Sequence, residues 1–449
     1  MDAEACYRAV EGRDGRFTGR FYLAVRTTRI YCRPGCPARL PKRENTMFFP
    51  SAAAAEAAGF RACMRCRPDA SAGSFAQAGT AATLSRALRL MEESGEASGL
   101  AGKLGVSDRH LRRLFAQHLG VPPAAVLRTR RLHLARQLLE SSQLPMIDVA
   151  QAAGFASLRR FNEAVRGGFG RTPTQLRRQV HVREGQTAIL LRLPFHPPLD
   201  FEALLAFFAP RALPGIEEVS GGVWRRTVRE GVLEVRRGGE AHLEVSLPAA
   251  LAPKALRIAT GVQRVFDLRA DPEAIAAHLG REKILRPFLR AGLRVPGAWD
   301  PFEMAVRAIL GQQISVSRAR VLAEQLTEKY GERVAQGWLF PTPERLATAD
   351  LRGMPGVRAR AIPALARAVV EGEVRLDAAA DPAALRTIPG VGEWTAQVIA
   401  LRALGEPDAF PAADLGLCRA LGLAPRELAA RSESWRPWRA YAAAAVWLA

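Results

Sequence analysis

Two pairs of cysteines set the tightest limit on what this chain can fold into. Cys32 and Cys36 are separated by three residues in CRPGCPAR, and Cys63 and Cys66 by two in CMRCRPD. Two close thiol pairs on separate turns can wrap one tetrahedral zinc. The chain around residues 32 and 63 must then meet at one point, which predicts a small metal-stapled domain over 1–75. Structural zinc supplies on the order of 10 kcal/mol of folding free energy to a domain of that size. The first histidine is His110, so Cys32, Cys36, Cys63 and Cys66 around one Zn2+ per chain is the simplest set. Six cysteines in 449 residues are too few for a disulfide scaffold. Thiols in metal spacing point to a reducing cytoplasm. The N-terminus has no basic start followed by an apolar core, so no secretory signal is expected.

A second constraint lies in LRTIPGVGEWTAQVIALRALGEPDAFPAADL, residues 385–415. Helical sequence breaks at Ile388-Pro389-Gly390-Val391-Gly392, and a new helix is predicted from Glu393 or Trp394. Glycines two apart let the backbone turn and approach a ligand. The first amides of the new helix, with those of Gly390 and Gly392, form an anion site suited to phosphate. Asp414 follows in a proline-stiffened loop. An ordinary helix pair with a surface aspartate is the plainer reading, and the length of the motif argues against it.

Between these landmarks the pattern changes twice. Gly73–Gly79 reads as a linker. LAGKLGVSDRHLRRLF and HLGVPPAAVL then recur about fifty residues later as VAQAAGFASLRRFNEAV and GFGRTPTQLRR. Each copy is a short helix, a glycine turn and a basic second helix, which is helix-turn-helix architecture over 80–180. The candidate recognition helices are Ser107–Gln117 and Ser157–Arg166, joined by one long helix through RTRRLHLARQLLE. Arg109, His110, Arg112 and Arg113, and then Arg159, Arg160 and Asn162, could reach DNA. After an irregular joint at Val180–Gly185, TAILLRLPF, GGVWRRTVREG, GVLEVRRGGE and AHLEVSLP alternate apolar with polar as strands do. With the helix LDFEALLAFFAPRAL they make a small α+β domain over 184–285, in which His196 and His242 read as packing or surface residues. A helical bundle fills 286–449, opening at Asp300 or Pro301. The fold class is therefore multidomain, mainly α with α+β parts.

Charge names the partner class. The chain carries a formal net charge of +20. An acidic polymer is the natural partner, and nucleic acid suits it better than a membrane surface. No apolar run reaches the ~20 residues of a membrane span. The plainer reading of part of the excess is an arginine-rich composition of genomic origin.

The words around these motifs resemble known families. AVRTTRIYCRPGCPAR, RENTMFF and AAGFRACMRCRPD resemble the Ada-type zinc domain. That resemblance implies that Cys32 takes a methyl group from a DNA methylphosphotriester, and that Thr28, Arg39 and Arg61 contact the DNA backbone. Methylation would remove one negative charge beside phosphate and tighten binding. The repeated unit resembles AraC-type helix-turn-helix regions. The last two segments resemble AlkA-type helix-hairpin-helix glycosylases, which remove alkylated bases such as 3-methyladenine. This implies Asp414 as the catalytic carboxylate, stabilising a cationic sugar or orienting water. Trp394 and Trp447 become aromatic pocket walls. Gln312 and Gln313 become the turn at the DNA, with Gln313 filling the gap left by a flipped base. Gly390, Gly392 and Thr395 become phosphate contacts, with a monovalent cation at the hairpin. A further aromatic pocket position falls on Val398. Trp435 and Trp438 are expected to pack the bundle.

Relatives with lyase activity place lysine where Trp394 stands, so strand cleavage is not expected. Cys418 alone lies near the end, which excludes an iron–sulfur set. The expectation is a bifunctional alkylation-damage protein: a monofunctional glycosylase joined to a methyl-accepting transcription regulator. Its partners would be double-stranded, alkylated and promoter DNA, with RNA polymerase at the promoter, and it would act as a monomer. The competing reading is a methylation-switched activator whose glycosylase half only binds DNA.

Overall fold

The computed structural model describes residues 3–13, 17, 21–36, 38–63, 66, 68, 80–178, 188–354 and 356–449. Both expected joints, at Gly73–Gly79 and Val180–Gly185, lie outside the described residues in whole or in large part. The chain divides into two compact units. The first is Met1–Pro197 with Gly238–Thr260 and Arg269–Asp271; the second is Pro198–Arg237 with Gly261–Leu268 and Pro272–Ala449. The segment read as one α+β domain over 184–285 therefore contributes to both.

In the first unit, β1 (Tyr22–Val25), β2 (Ile30–Cys32), β3 (Thr46–Phe49) and β4 (Arg61–Ala62) form a sheet in the order β3-β1-β2-β4. β2 and β4 run parallel, with Tyr31 opposite Ala62. The next residues along are Cys32 and Cys63, so the register itself brings the two cysteine pairs together. A short helix, Ala52–Ala57, crosses between β3 and β4, capped by Ser51, whose Oγ accepts from the Ala54 amide at 3.0 Å.

The repeat follows. Helix pairs Leu100–Lys103 with Asp108–Leu119, and Met146–Ala152 with Leu158–Phe169, flank the connecting helix Pro123–Ser141. Both recognition helices begin at a serine cap, Ser107 and Ser157, and end at a left-handed glycine, Gly120 and Gly170. Such caps each contribute about 1 kcal/mol. Strand Ala188–Pro194 pairs antiparallel with His242–Pro248, and alternate residues of both are buried. His196 is buried, and His242 is half-buried.

The second unit holds a meander of Glu217–Ser220, Val223–Val228 and Gly231–Arg237, whose first strand the sequence pattern did not reveal. Helix Pro301–Leu310 runs through its core, capped by Asp300, and Phe302, Val306, Ile309 and Leu310 are buried as their spacing predicts. Glu303 on the same helix is buried and ion-paired to Arg226 at 2.5 Å and Arg307 at 3.0 Å. Helices Val316–Tyr330, Arg358–Val370 and Glu393–Arg402 pack around it, and Arg439–Trp447 packs on Leu415–Leu421, with Trp435 and Trp438 buried. The sequence before Ile388 is a 3-10 helix, Pro382–Thr387, and not the α-helix its amphipathic pattern suggests. Pro389 holds the residue before it, Ile388, in extended backbone at φ −75° and ψ 123°, so the segment ends there.

Candidate metal centre and nucleic-acid site

The four cysteine sulfurs lie within 4.8 Å of one another, and all four side chains are buried. Alone, the thiols compete. Hydrogen bonds donated to Cys36, Cys63 and Cys66, with burial, push the Cys32 thiol up, while bonds from Cys32 and Cys36 hold Cys63 down. A central dication ends that competition by stabilising every thiolate, so the donor set fits zinc. Thr28 and Arg39 are exposed on the same module. Arg61 is placed differently from the other two. Its guanidinium packs under Gly170, at the end of the second recognition helix, where an added Cβ would overlap it. Arg61 is half-buried on this module, beside that helix end.

The recognition helices turn their basic faces outward. Arg109, Arg112, Arg113, Arg159, Arg160 and Asn162 are exposed, while Leu111, Leu114, Phe115, Phe161 and Val165 are buried beneath them. His110 is half-buried and bonds Arg113 at 3.1 Å.

In the second unit a cavity of about 440 Å³ is lined by Asp414, Trp394, Trp447, Val398, Phe207 and Met304 among others. Asp414 caps the helix Leu415–Leu421: its Oδ1 accepts from the Leu417 amide at 3.1 Å. Its Oδ2 accepts from the Trp394 indole N–H at 2.9 Å. Trp394, expected only as an aromatic wall, also fixes the carboxylate. Trp447 stacks on Phe207, centroids 6.5 Å apart at 27°. Val398 lines the cavity as expected, with no ring to offer.

The sequence reading missed the other side of this cavity. Phe207 and Arg211 come from the α+β segment, where the sequence marked no site residue, and Arg307 and Arg402 from the bundle. Arg211 lies 3.8 Å and Arg402 5.0 Å from the Phe207 ring centre. Burial, with Arg211 and Arg307 nearby, pushes the Arg402 guanidinium down to about 9. Burial and Arg307 bring Arg211 to about 10. Arg307 is paired with Glu217 at 3.3 Å and with Glu303. The one hint in sequence was an arginine shortly after a pair of phenylalanines in FFAPRAL.

The hairpin and the glutamine turn are one structure. Gln312 Nε2 donates to Gly390 O and to Thr395 Oγ1, each at 2.9 Å. Arg358 donates to Gln312 O and, at 3.0 Å, to Leu310 O. Gln312 therefore braces the hairpin through the Gly390 carbonyl and the buried Thr395 hydroxyl. Gly390 has φ +87°, and a Cβ there would strike Val357. Gly392 has φ −85° with open space around it, so the fold places no demand for glycine at that position. Gln313 is exposed in the left-handed region at φ 55°. Cys418 is half-buried, its thiol bonded to Ala412 O at 3.4 Å.

Four protein-family models match in succession: the metal binding domain of Ada over residues 5–69, a helix-turn-helix domain over 100–179, the AlkA N-terminal domain over 190–300, and the HhH-GPD superfamily base excision DNA repair protein over 306–426. Together with the zinc centre and the cavity, these define a multidomain protein of the base excision repair class with an added DNA-binding half. A probable bifunctional transcriptional activator/DNA repair enzyme AlkA from Mycobacterium tuberculosis is 42% identical over 99% of this chain and 96% of its own length. DNA-3-methyladenine glycosylase 2 of Escherichia coli is 37% identical over 57% of this chain and 95% of its own. The bifunctional activator/repair enzyme Ada of Escherichia coli is 34% identical over 38% of this chain and 48% of its own. The chain belongs to the family of bifunctional transcriptional activator/DNA repair enzymes of the AlkA type. It carries one zinc site, formed by the four clustered thiols.

Proposed function

We propose that this protein hydrolyses the N-glycosidic bond of alkylated bases such as 3-methyladenine in double-stranded DNA, and that its zinc half accepts methyl groups from DNA methylphosphotriesters on Cys32. The observation that carries the first reading is Asp414, held at a cavity between Trp394 and Trp447. Both carboxylate oxygens accept hydrogen bonds from fixed donors. A carboxylate so held suits facing a developing cation more than pulling a proton from water. As the glycosidic bond breaks, its electron pair leaves with the base, and Asp414 stabilises the positive sugar until water adds at the same carbon. The aromatic rings favour a cationic base by roughly 0.5–2 kcal/mol per face. No lysine lines the cavity among the described residues, which supports hydrolysis without Schiff-base strand cleavage.

At the zinc centre, the bound metal keeps sulfur as thiolate. Cys32 sulfur would attack the methyl carbon; the S–C bond forms as the C–O bond breaks, and the pair stays on oxygen as a phosphodiester anion. The chain's own residues supply Cys32 at the end of β2 and the outward basic faces that hold DNA. Methylated Cys32 would raise affinity for promoter DNA and bring RNA polymerase there, in a cytoplasmic monomer of four modules, 1–75, 80–180, 184–285 and 286–449. Among the described residues no helix is long and apolar enough to cross a membrane. The assay is to incubate the pure protein with methylated duplex, measuring free bases and methylated Cys32 separately. Intact strands with released 3-methyladenine are expected. No base release would leave the regulator reading in its place.

A further inference from the structure

The first unit contains a buried polar network that neither zinc binding nor helix packing requires. Tyr31 directly precedes Cys32 on β2 and is fully buried. Its hydroxyl donates to Glu56 Oε1 at 2.9 Å and lies 3.1 Å from His133 Nε2. Glu56 stands on the short helix Ala52–Ala57, and its other oxygen accepts from Thr129 Oγ1 at 2.5 Å. Thr129 and His133 are four residues apart, on one face of the connecting helix. The Glu56 and His133 side chains are 6% and 8% exposed and lie 3.5 Å apart. Burial works to raise the Glu56 carboxyl, but His133, Thr129 and Tyr31 outweigh it and hold the group below the usual carboxylate range. A charged group kept in a core where apolar packing would serve is a specificity device more than a stabilising one.

Two contacts flank this network on the same stretch of chain. Ser51 Oγ donates to Leu119 O, at the end of the first recognition helix, at 2.7 Å. Arg61 packs beneath Gly170, at the end of the second. Residues 51–61 thus touch the end of each recognition helix and the middle of the helix between them. Cys63 lies two residues further on, and β2 with Cys32 is hydrogen-bonded alongside.

We propose that Glu56, with Thr129 and His133, is a positioning device that ties the strand bearing Cys32 to the connecting helix, so that the state of the zinc centre is felt by both recognition helices. A movement of Tyr31 would take a donor from a buried carboxylate, and the connecting helix must answer by shifting its own two donors. The purpose of the coupling rests on the reading of Cys32 as methyl acceptor; the coupling itself does not.

The test therefore uses the metal and not the methyl group. In the full chain, hydrogen exchange of residues 123–141 is compared with zinc bound and after chelation, in wild type and in Thr129→Val with His133→Leu. Zinc removal should speed exchange in the wild-type connecting helix on the order of tenfold. The double variant should keep one zinc per chain and full base excision, yet lose that zinc sensitivity. If the double variant fails to hold zinc, Thr129→Val alone replaces it, and Thr129→Ser, which keeps the hydroxyl, should restore the sensitivity. Wild-type exchange indifferent to zinc, a variant as zinc-sensitive as wild type, or no difference between Val and Ser would overturn the proposal. Methyl transfer to Cys32, followed by mass in parallel, separates failure of the coupling from failure of the acceptor.

Discussion

Asp414→Asn isolates charge from shape. Asparagine caps a helix as well as aspartate does, so the bond from the Leu417 amide survives and the fold should hold. Asparagine has one oxygen, so if it keeps the Leu417 cap its NH2 meets the Trp394 N–H and that bond is lost with the charge. Losing the negative charge facing the sugar typically costs ~10²–10³ in rate. Single-turnover release of 3-methyladenine should fall by that factor while duplex binding persists, and near wild-type release would remove Asp414 from the chemistry. Trp394→Phe is the complementary change: the ring stays and the N–H goes. One hydrogen bond to a charged group is lost, so the expected fall is about 10–100-fold, again read in single turnover. Asp414 and the cysteines were legible because their chemistry is written in short local words. Phe207, Arg211 and Arg402 were not, because only the tertiary fold carries them to the cavity, and an arginine on a surface reads the same as one beneath a ring.

The hairpin makes a prediction about two glycines that look alike in sequence. At Gly390 the left-handed backbone and the nearby Val357 both resist a side chain. Gly390→Ala should cost at least about 1–2 kcal/mol of stability, measured by denaturant unfolding. At Gly392 the backbone is ordinary and the space open. Gly392→Ala should leave stability within about 0.5 kcal/mol and instead weaken DNA binding, because the Cβ would stand where a phosphate approaches. Equal loss of stability in both variants would contradict this assignment. Helix starts were readable from serine and aspartate caps followed by apolar spacing, as at Ser107, Ser157 and Asp300. The 3-10 turn at Pro382–Thr387 was not, since periodicity over six residues does not separate the two helix types. Nor was the role of Gln312, whose bonds to Gly390 and Thr395 join segments distant in sequence.

At the scale of the whole molecule, the metal and the cavity belong to different units. Cys36→Ala, or a chelator, should therefore unfold the zinc module while base excision stays within about twofold of wild type, a comparison made on one protein sample by circular dichroism and base release; an estimate this small reflects sites without shared partners. The division between the units is not a single cut. The chain passes from one to the other after Pro197, Arg237, Thr260, Leu268 and Asp271. A protein ending at Pro197 keeps strand Ala188–Pro194 but lacks its partner His242–Pro248. It should aggregate more, by light scattering, than one ending at Arg178, because an unpaired strand edge is left open. For a gene, this interleaving decides where a cut is tolerated. A single breakpoint near residue 197 gives one strand of a ladder to each product, whereas one ahead of Ala188 leaves both strands on the same product.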